Sequence, residues 1–182
     1  MPPALRVRVY LSRRRRRRRP RLPRLFSRFS SARMSGPAEL MMLDRDESGL
    51  HALQLSIHGT ALLDSPDTIL ADIRDAETVQ AIFDERKPQV VFHAAALKHL
   101  PMLQQDPVEA WKTNVLGTLH VLEAARSVGV EKFVNISTDK AANPSSVLGS
   151  AKRIGERLVA VGQPPERGPV HRLGVLALAD LR

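Results

Sequence analysis

Residues 89–137 read QVVFHAAALKHLPMLQQDPVEAWKTNVLGTLHVLEAARSVGVEKFVNIS. Two short apolar runs, 89–92 and 133–136, bracket a stretch of helical periodicity. Asp106 suits an N-cap, Pro107 the first helical position, and Glu109 can complete a capping box. Val108, Trp111, Val115, Leu119 and Leu122 form the apolar stripe of the predicted helix. Gly129 fits its C-terminal cap. Strand, helix and strand in that order predict a parallel pair joined by a right-handed crossover.

The same alternation extends to both sides. Residues 39–43 (ELMML) read as a buried strand. Leu50, Leu53 and Ile57 fall at helical spacing, and Gly59 ends that helix. Residues 68–71 form a short strand. Asp75 can cap a helix bearing Val79, Ile82 and Phe83, which stops before Pro88. After a loop containing Asn143 and Pro144, a helix runs over about 147–161. Near-continuous apolar strands alternating with helices predict an α/β fold with a doubly wound parallel sheet covered on both faces. Ligands in such sheets sit beyond the carboxyl ends of the strands. Those ends here are Asp44, Asp72, residues 93–96 and residues 137–140.

The charge of the chain is unevenly distributed. Residues 1–38 hold thirteen arginines and no acid, seven of them consecutive at 13–19. The remaining chain has 15 basic and 19 acidic residues, a net of −4. The basic character belongs to residues 1–35, whose dense like charges resist compaction. Within them Leu5, Val7, Val9 and Leu11 alternate as in a short strand. The chain has no cysteine, which excludes disulfides and thiolate chemistry and fits a cytoplasmic protein. No apolar run approaches the ~18 residues of a membrane span.

The polar residues at the strand ends carry the candidate chemistry. Asp44 can accept from a ribose 2′-hydroxyl, and Arg45 can pair with a 2′-phosphate; a solvated loop pair explains them equally well. Asp72 and Ile73 follow the next strand, where a carboxylate can accept from an adenine amine or simply cap a helix. Ala94, Ala95 and Ala96 let a flat ligand approach the backbone, or serve tight helix–strand packing. No carboxylate or third histidine stands at ligand spacing from His93 or His99, which argues against a metal. Ser137, Thr138, Asp139 and Lys140 combine hydroxyls, an acid and an amine at one strand end, a set suited to proton transfer. Lys152 lies twelve residues on; alone it reads as a solvated lysine.

Taken together, LLDRDES, HAAALKHLP, TNVLGT and STDKAANPSSVLGSAKR resemble the extended short-chain dehydrogenase/reductases. The specific resemblance is to the CapD-like polysaccharide biosynthesis family, which includes UDP-N-acetylglucosamine 4,6-dehydratases. It covers about residues 36–161. It implies a Rossmann-like NAD(P)-binding domain over 36–163, flanked by the basic segment and an irregular tail at 164–182. It also implies NADP or NAD as cofactor, with Arg45 favouring NADP, a UDP-sugar such as UDP-N-acetylglucosamine as substrate, and room for a homo-oligomer. In the implied reaction a hydride leaves C4 of the sugar, water is eliminated across C5 and C6, and the hydride returns to C6. By resemblance Asp139 is the acid at the 6-hydroxyl and Lys140 the base at C5. Lys152 holds the nicotinamide ribose, and Ser137 or Thr138 bonds the 4-oxygen. Asp44 and Arg45 bind the adenosine ribose, Asp72 and Ile73 the adenine, and Ala94, Ala95 and Ala96 the cofactor backbone. Asn114 shapes the site.

Three features depart from the family pattern. The tyrosine expected four residues before the active lysine is replaced by Leu148. The glycine-rich turn is missing: no glycine precedes Gly36, and arginines cannot supply its close backbone approach to pyrophosphate. The resemblance also ends after about residue 161, before a sugar-nucleotide domain. A frameshift in a GC-rich gene, trading glycine codons for arginine codons, accounts for the first βα unit and the tail together. This leaves two alternatives to an active dehydratase: an inactive fragment of one, or a binder of nucleic acid or anionic surfaces through the arginine tract.

Overall fold

The computed structural model describes residues 9–13, 39–60, 65–95, 97–161 and 174–177; the side chains of 9–13, 57, 58 and 174–177 fall outside that description, as do Ala96 and Arg14 to Arg19 of the arginine tract. In chain order the elements are β1 (Val9–Arg13), β2 (Glu39–Asp44), α1 (Glu47–His58), β3 (Thr68–Leu70), α2 (Ala76–Arg86), β4 (Val90–His93), α3 (Leu100–Gln105), α4 (Pro107–Ala110), a π-helical turn (Trp111–Leu116), α5 (Gly117–Ser127), β5 (Lys132–Ser137), a 3-10 turn (Asp139–Ala141), α6 (Val147–Val161) and β6 (Gly174–Ala177). No helix among the described residues is long and apolar enough to cross a membrane.

The six strands form one sheet in the order β3-β2-β1-β4-β5-β6, the order of a doubly wound dinucleotide-binding fold. β2 and β3 pair in parallel, as do β4 with β5 and β5 with β6. β1 is the exception. It lies between β2 and β4 and runs antiparallel to both, so the sheet is mixed where the sequence pattern predicts parallel strands throughout. β1 comes from the basic segment, and its alternating apolar residues are what suit it to a sheet. Within the tail, the described residues Gly174–Ala177 form β6, which pairs in parallel with β5.

Each face of the sheet is covered because alternate strand residues point opposite ways. Met41, Leu43, Val91 and Phe133 join Val79 and Phe83 of α2, Val121, Leu122 and Ala125 of α5, and Val159 of α6. Leu40 and Met42 face the other way and pack on Leu50 and Leu53 of α1. Three of the predicted caps form. Gly59 closes α1 at φ 75° with its N–H on the Leu55 carbonyl, a left-handed conformation that glycine adopts without strain. The Asp75 carboxylate accepts from the Thr78 N–H at 3.0 Å. At the end of α5, Gly129 (φ 71°) donates to Arg126 and Val130 donates to Ala125, a Schellman closure.

The helix predicted from Asp106 onward differs in two ways. First, its capping box does not form. Asp106 makes no side-chain cap bond, and Glu109 instead reaches Lys112 at 3.0 Å and Arg74 at 3.1 Å. Second, Val108 is 59% exposed and Trp111 49% exposed, although the stripe places both inward. The π-helical turn explains this. One extra residue in the turn rotates the helix on its N-terminal side by about 100° relative to the helix on its C-terminal side. Val115 and Leu122 therefore keep the buried face, and Val108 and Trp111 lose it.

Candidate active site at the carboxyl edge

The carboxyl ends of β2, β3 and β4 define a narrow crevice. Leu43, Asp44, Arg45, Ala71, Asp72, Ile73, Ala95 and Thr113 line it. Five candidates named from the sequence therefore meet there, brought together by three strands in register. Asp44 is buried at the end of β2, and its Oδ1 accepts from the Asp46 N–H at 3.0 Å. Asp72 takes two hydrogen bonds from Arg74, Nε at 2.8 Å and backbone N–H at 3.0 Å, and a longer one from Arg45 at 3.4 Å. Burial opposes the charge on Asp72, but the Arg74 bonds outweigh it and hold the carboxyl below its usual range. Ile73 lines the crevice and also belongs to the core, pressed so closely on Gly117 that a Cβ there would meet it at 2.7 Å.

Thr113 is the crevice residue that sequence reasoning misses. It is 1% exposed, and its Oγ1 has no hydrogen-bond partner among the described residues. A buried hydroxyl left unsatisfied costs about 1–3 kcal/mol, and this one borders the same cavity as Asp44 and Ala95. The motif TNVLGT contains it, but a threonine preceding an asparagine in a helix carries no distinctive signal.

Asn114, beside it, holds the loop after β4. Its Oδ1 accepts from the Leu97 N–H at 2.8 Å and its Nδ2 donates to the Leu97 carbonyl at 3.0 Å. Its own backbone carbonyl accepts from the Thr118 hydroxyl at 2.7 Å. Thr118 Oγ1 in turn lies 2.9 Å from His93 Nε2. Since the hydroxyl proton is committed to Asn114, the network places the histidine proton on Nε2 and leaves Nδ1 as a lone pair. His93 is fully buried, and burial, followed by the charge of Lys152, lowers its pKa to about 3. It is a buried, neutral histidine that spaces β4 from α5 through Thr118. Ala94 lies on the same loop, and Ala96 is outside the described residues.

At the end of β5 the second group of candidates assembles. Ser137 is buried, and its Oγ has no hydrogen-bond partner among the described residues. Lys152, on α6, donates to the Ile136 carbonyl at 2.9 Å. Burial lowers its pKa to about 8, with Glu156 acting in the opposite direction. The lysine that reads as solvated in isolation is thus held under the strand end. Asp139 and Lys140 stand on the exposed 3-10 turn. The Thr138 hydroxyl donates to Asp139 at 2.8 Å and the Lys140 N–H at 3.0 Å, which keeps the carboxyl below its ordinary range. Gly149 permits this arrangement, because a Cβ there would lie 2.5 Å from the Lys140 carbonyl and 3.2 Å from Pro144 Cα. Leu148, where the wider superfamily has its tyrosine, is 4% exposed and packs with Leu103, Ala110, Val115 and Ala151. It is a core residue.

A sequence profile described as "Polysaccharide biosynthesis protein" matches residues 26–168. The chain is 38% identical over 124 residues to the probable polysaccharide biosynthesis protein EpsC of Bacillus subtilis, covering 68% of this chain and 21% of that protein. It is 36% identical over 106 residues to an inverting UDP-N-acetylglucosamine 4,6-dehydratase of Campylobacter jejuni, covering 58% of this chain and 31% of the other. Among solved structures, a UDP-glucose 4-epimerase of Thermus thermophilus in complex with NAD superimposes with a TM-score of 0.54 at 29% identity, over 65% of this chain and 41% of that one. The chain therefore spans between a fifth and two fifths of the length of these proteins.

Proposed function

The chain belongs to the polysaccharide biosynthesis protein family, and on that premise we propose that it serves a NAD(P)-dependent nucleotide-sugar 4,6-dehydratase, or dehydratase and epimerase, acting on a UDP-sugar such as UDP-N-acetylglucosamine. The observation that carries this reading is the crevice that gathers Asp44, Arg45, Asp72, Ala95 and Thr113, with Ser137 and Lys152 at the next strand end. The residues present fit a nicotinamide dinucleotide. Asp44 would accept from the adenosine ribose and Asp72 from the adenine. The Thr113 hydroxyl would gain the partner it lacks. Arg45, half-exposed and only weakly engaged by Asp72, is available to a 2′-phosphate and favours NADP. Ala94 and Ala95 give backbone access, and Lys152 would turn from the Ile136 carbonyl to the nicotinamide ribose.

When bound, the cofactor supplies hydride acceptance from C4 and its return. The other roles fall to this chain. Ser137 or Thr138 bonds the 4-oxygen, since Leu148 offers no proton to exchange. Asp139, ionised at rest, receives the 4-hydroxyl proton through the Thr138 hydroxyl as the hydride leaves C4 and delivers it to the departing 6-hydroxyl; Lys140 takes the C5 proton and returns it to C5 when the hydride reaches C6. Without substrate, the Thr138 bond holds Asp139 ionised. A sugar that takes over the Thr138 hydroxyl releases that hold and raises the carboxyl's proton affinity where it is needed.

The test is to incubate purified protein with UDP-N-acetylglucosamine and NADP, and to look by mass spectrometry for loss of water from the nucleotide-sugar. A 4-keto product that disappears in Lys140→Ala supports the reading. No product with either NADP or NAD, in protein that binds the nucleotide, counts against it.

A further inference from the structure

The π-helical turn sets two neighbouring residues to different tasks. Thr113 borders the crevice, its hydroxyl without a partner among the described residues, and Asn114 holds both polar backbone groups of Leu97. Both placements depend on the register of the turn. The Gly117 N–H bonds five residues back, to the Lys112 carbonyl. An α-helix bonds four back, and closing up by one residue would turn both side chains by about 100° relative to α5. Single π turns of this kind are rare and recur at functional sites, so what holds this one matters.

Thr118, at the exit of the turn, is placed to hold it. It is 3% exposed. Its hydroxyl donates back to the Asn114 carbonyl at 2.7 Å, a side-chain bond to the fourth residue before it that bends helices. A carbonyl only accepts, so the one hydroxyl proton is committed there and His93 donates from Nε2, 2.9 Å away. In this way β4 fixes the direction of the bond. α6 covers the same two groups: a Cβ on Gly155 would stand 3.6 Å from the Asn114 carbonyl and 3.8 Å from Thr118 Cγ2. Glycine brings no side-chain donor, which leaves this role to the Thr118 hydroxyl.

Resting on the cofactor reading above, we infer that Thr118 is a positioning residue of the site. Its hydroxyl, oriented by His93, keeps the π-helical register that aims Thr113 at the nucleotide and Asn114 at the loop after β4. Thr118 lines no part of the crevice and acts only through these neighbours.

The experiment compares Thr118→Val, which keeps the shape and loses the hydroxyl, with Thr118→Ser, which keeps the hydroxyl, both in the full chain. Hydrogen exchange at the Leu97 amide is read without ligand, and the dissociation constant for NADPH by fluorescence titration. In Thr118→Val, Leu97 exchange is expected to accelerate tenfold or more relative to the amides of β4, and NADPH to bind tenfold or more weakly. Thr118→Ser should stay within about threefold of the unaltered chain in both. Should Thr118→Val not fold, Thr118→Ala takes its place with the same expectations. A merely structural hydroxyl would lower the melting temperature of the valine variant and leave the NADPH constant where it was; that result overturns the inference while the cofactor reading stands. An unchanged Leu97 rate, or a serine variant as impaired as the valine one, overturns it too. If the unaltered chain binds no NADPH, the cofactor reading falls and the positioning role falls with it.

Discussion

The Lys152 ammonium donates to the Ile136 carbonyl at 2.9 Å, one residue before Ser137, whose hydroxyl has no partner among the described residues. This contact ties α6 to the end of β5 and buries a positive charge with one backbone partner. Burial favours the neutral amine, hence a pKa of about 8. Reductive methylation of the lysines with carbon-13, followed by NMR titration, checks it. One lysine is expected to titrate near pH 8, against about 10.4 for ordinary lysines, and its signal should be missing in Lys152→Met. Because the folded pKa is below the unfolded one, the charged amine disfavours the fold below pH 8. That disadvantage is relieved as the pH rises from 8 towards 10.5.

His93 has the same sign and a different window. Its folded pKa of about 3 lies below the ordinary 6.5. The unfolded chain therefore binds the extra proton first, and His93 withdraws stability as the pH falls from 6.5 towards 3, by at most about 1.4 kcal/mol per unit. Denaturant midpoints measured between about pH 7 and 4 should fall less steeply in His93→Gln, which keeps a donor for Thr118.

Asn114 fastens the Leu97 backbone by two hydrogen bonds. Asn114→Ala leaves the part-buried Leu97 N–H and carbonyl without their side-chain partner, at a cost of about 1–3 kcal/mol. The loop after β4 should loosen first. Hydrogen exchange at the Leu97 amide is expected to accelerate more than exchange in β4 itself.

Much of this site is legible in the sequence because its residues sit at strand ends, and strand ends are located by the apolar runs. Asp44, Asp72 and Ser137 are found that way. The reversed strand is not legible: alternation in VYLSR marks a strand but has no direction, and direction is set by which edge the chain reaches. The outward turn of Trp111 escapes for a related reason. A fixed 3.6-residue period cannot register a π-helical turn, which arises where Asn114 commits its side chain to Leu97. Thr113 is invisible until its hydroxyl is seen to be buried without a partner.

Leu148 marks where the family resemblance and the packing meet. It fills a space between α3, α4 and α6. Leu148→Tyr does not restore an acid–base group. It forces a larger ring and a hydroxyl into an apolar cluster, and should lower stability by about 1–3 kcal/mol with no gain in turnover. Urea unfolding and product formation, measured together, check both halves of that statement.

Gly149→Ala tests the support of the Asp139 turn. Alanine favours the helix by about 1 kcal/mol, but its methyl collides with the Lys140 carbonyl. The expected outcome is a drop in turnover of tenfold or more, with a change in Tm of only a few degrees.

The most direct measurement is a fluorescence titration of the full chain with NADPH, competed by adenosine 2′-phosphate and repeated on Arg45→Ala. Saturable binding is expected, displaced completely by the competitor and weakened tenfold or more in the variant. Binding that is absent, that adenosine 2′-phosphate fails to displace, or that is unchanged in Arg45→Ala would contradict the assignment of the crevice at Asp44, Asp72 and Thr113 as the cofactor site.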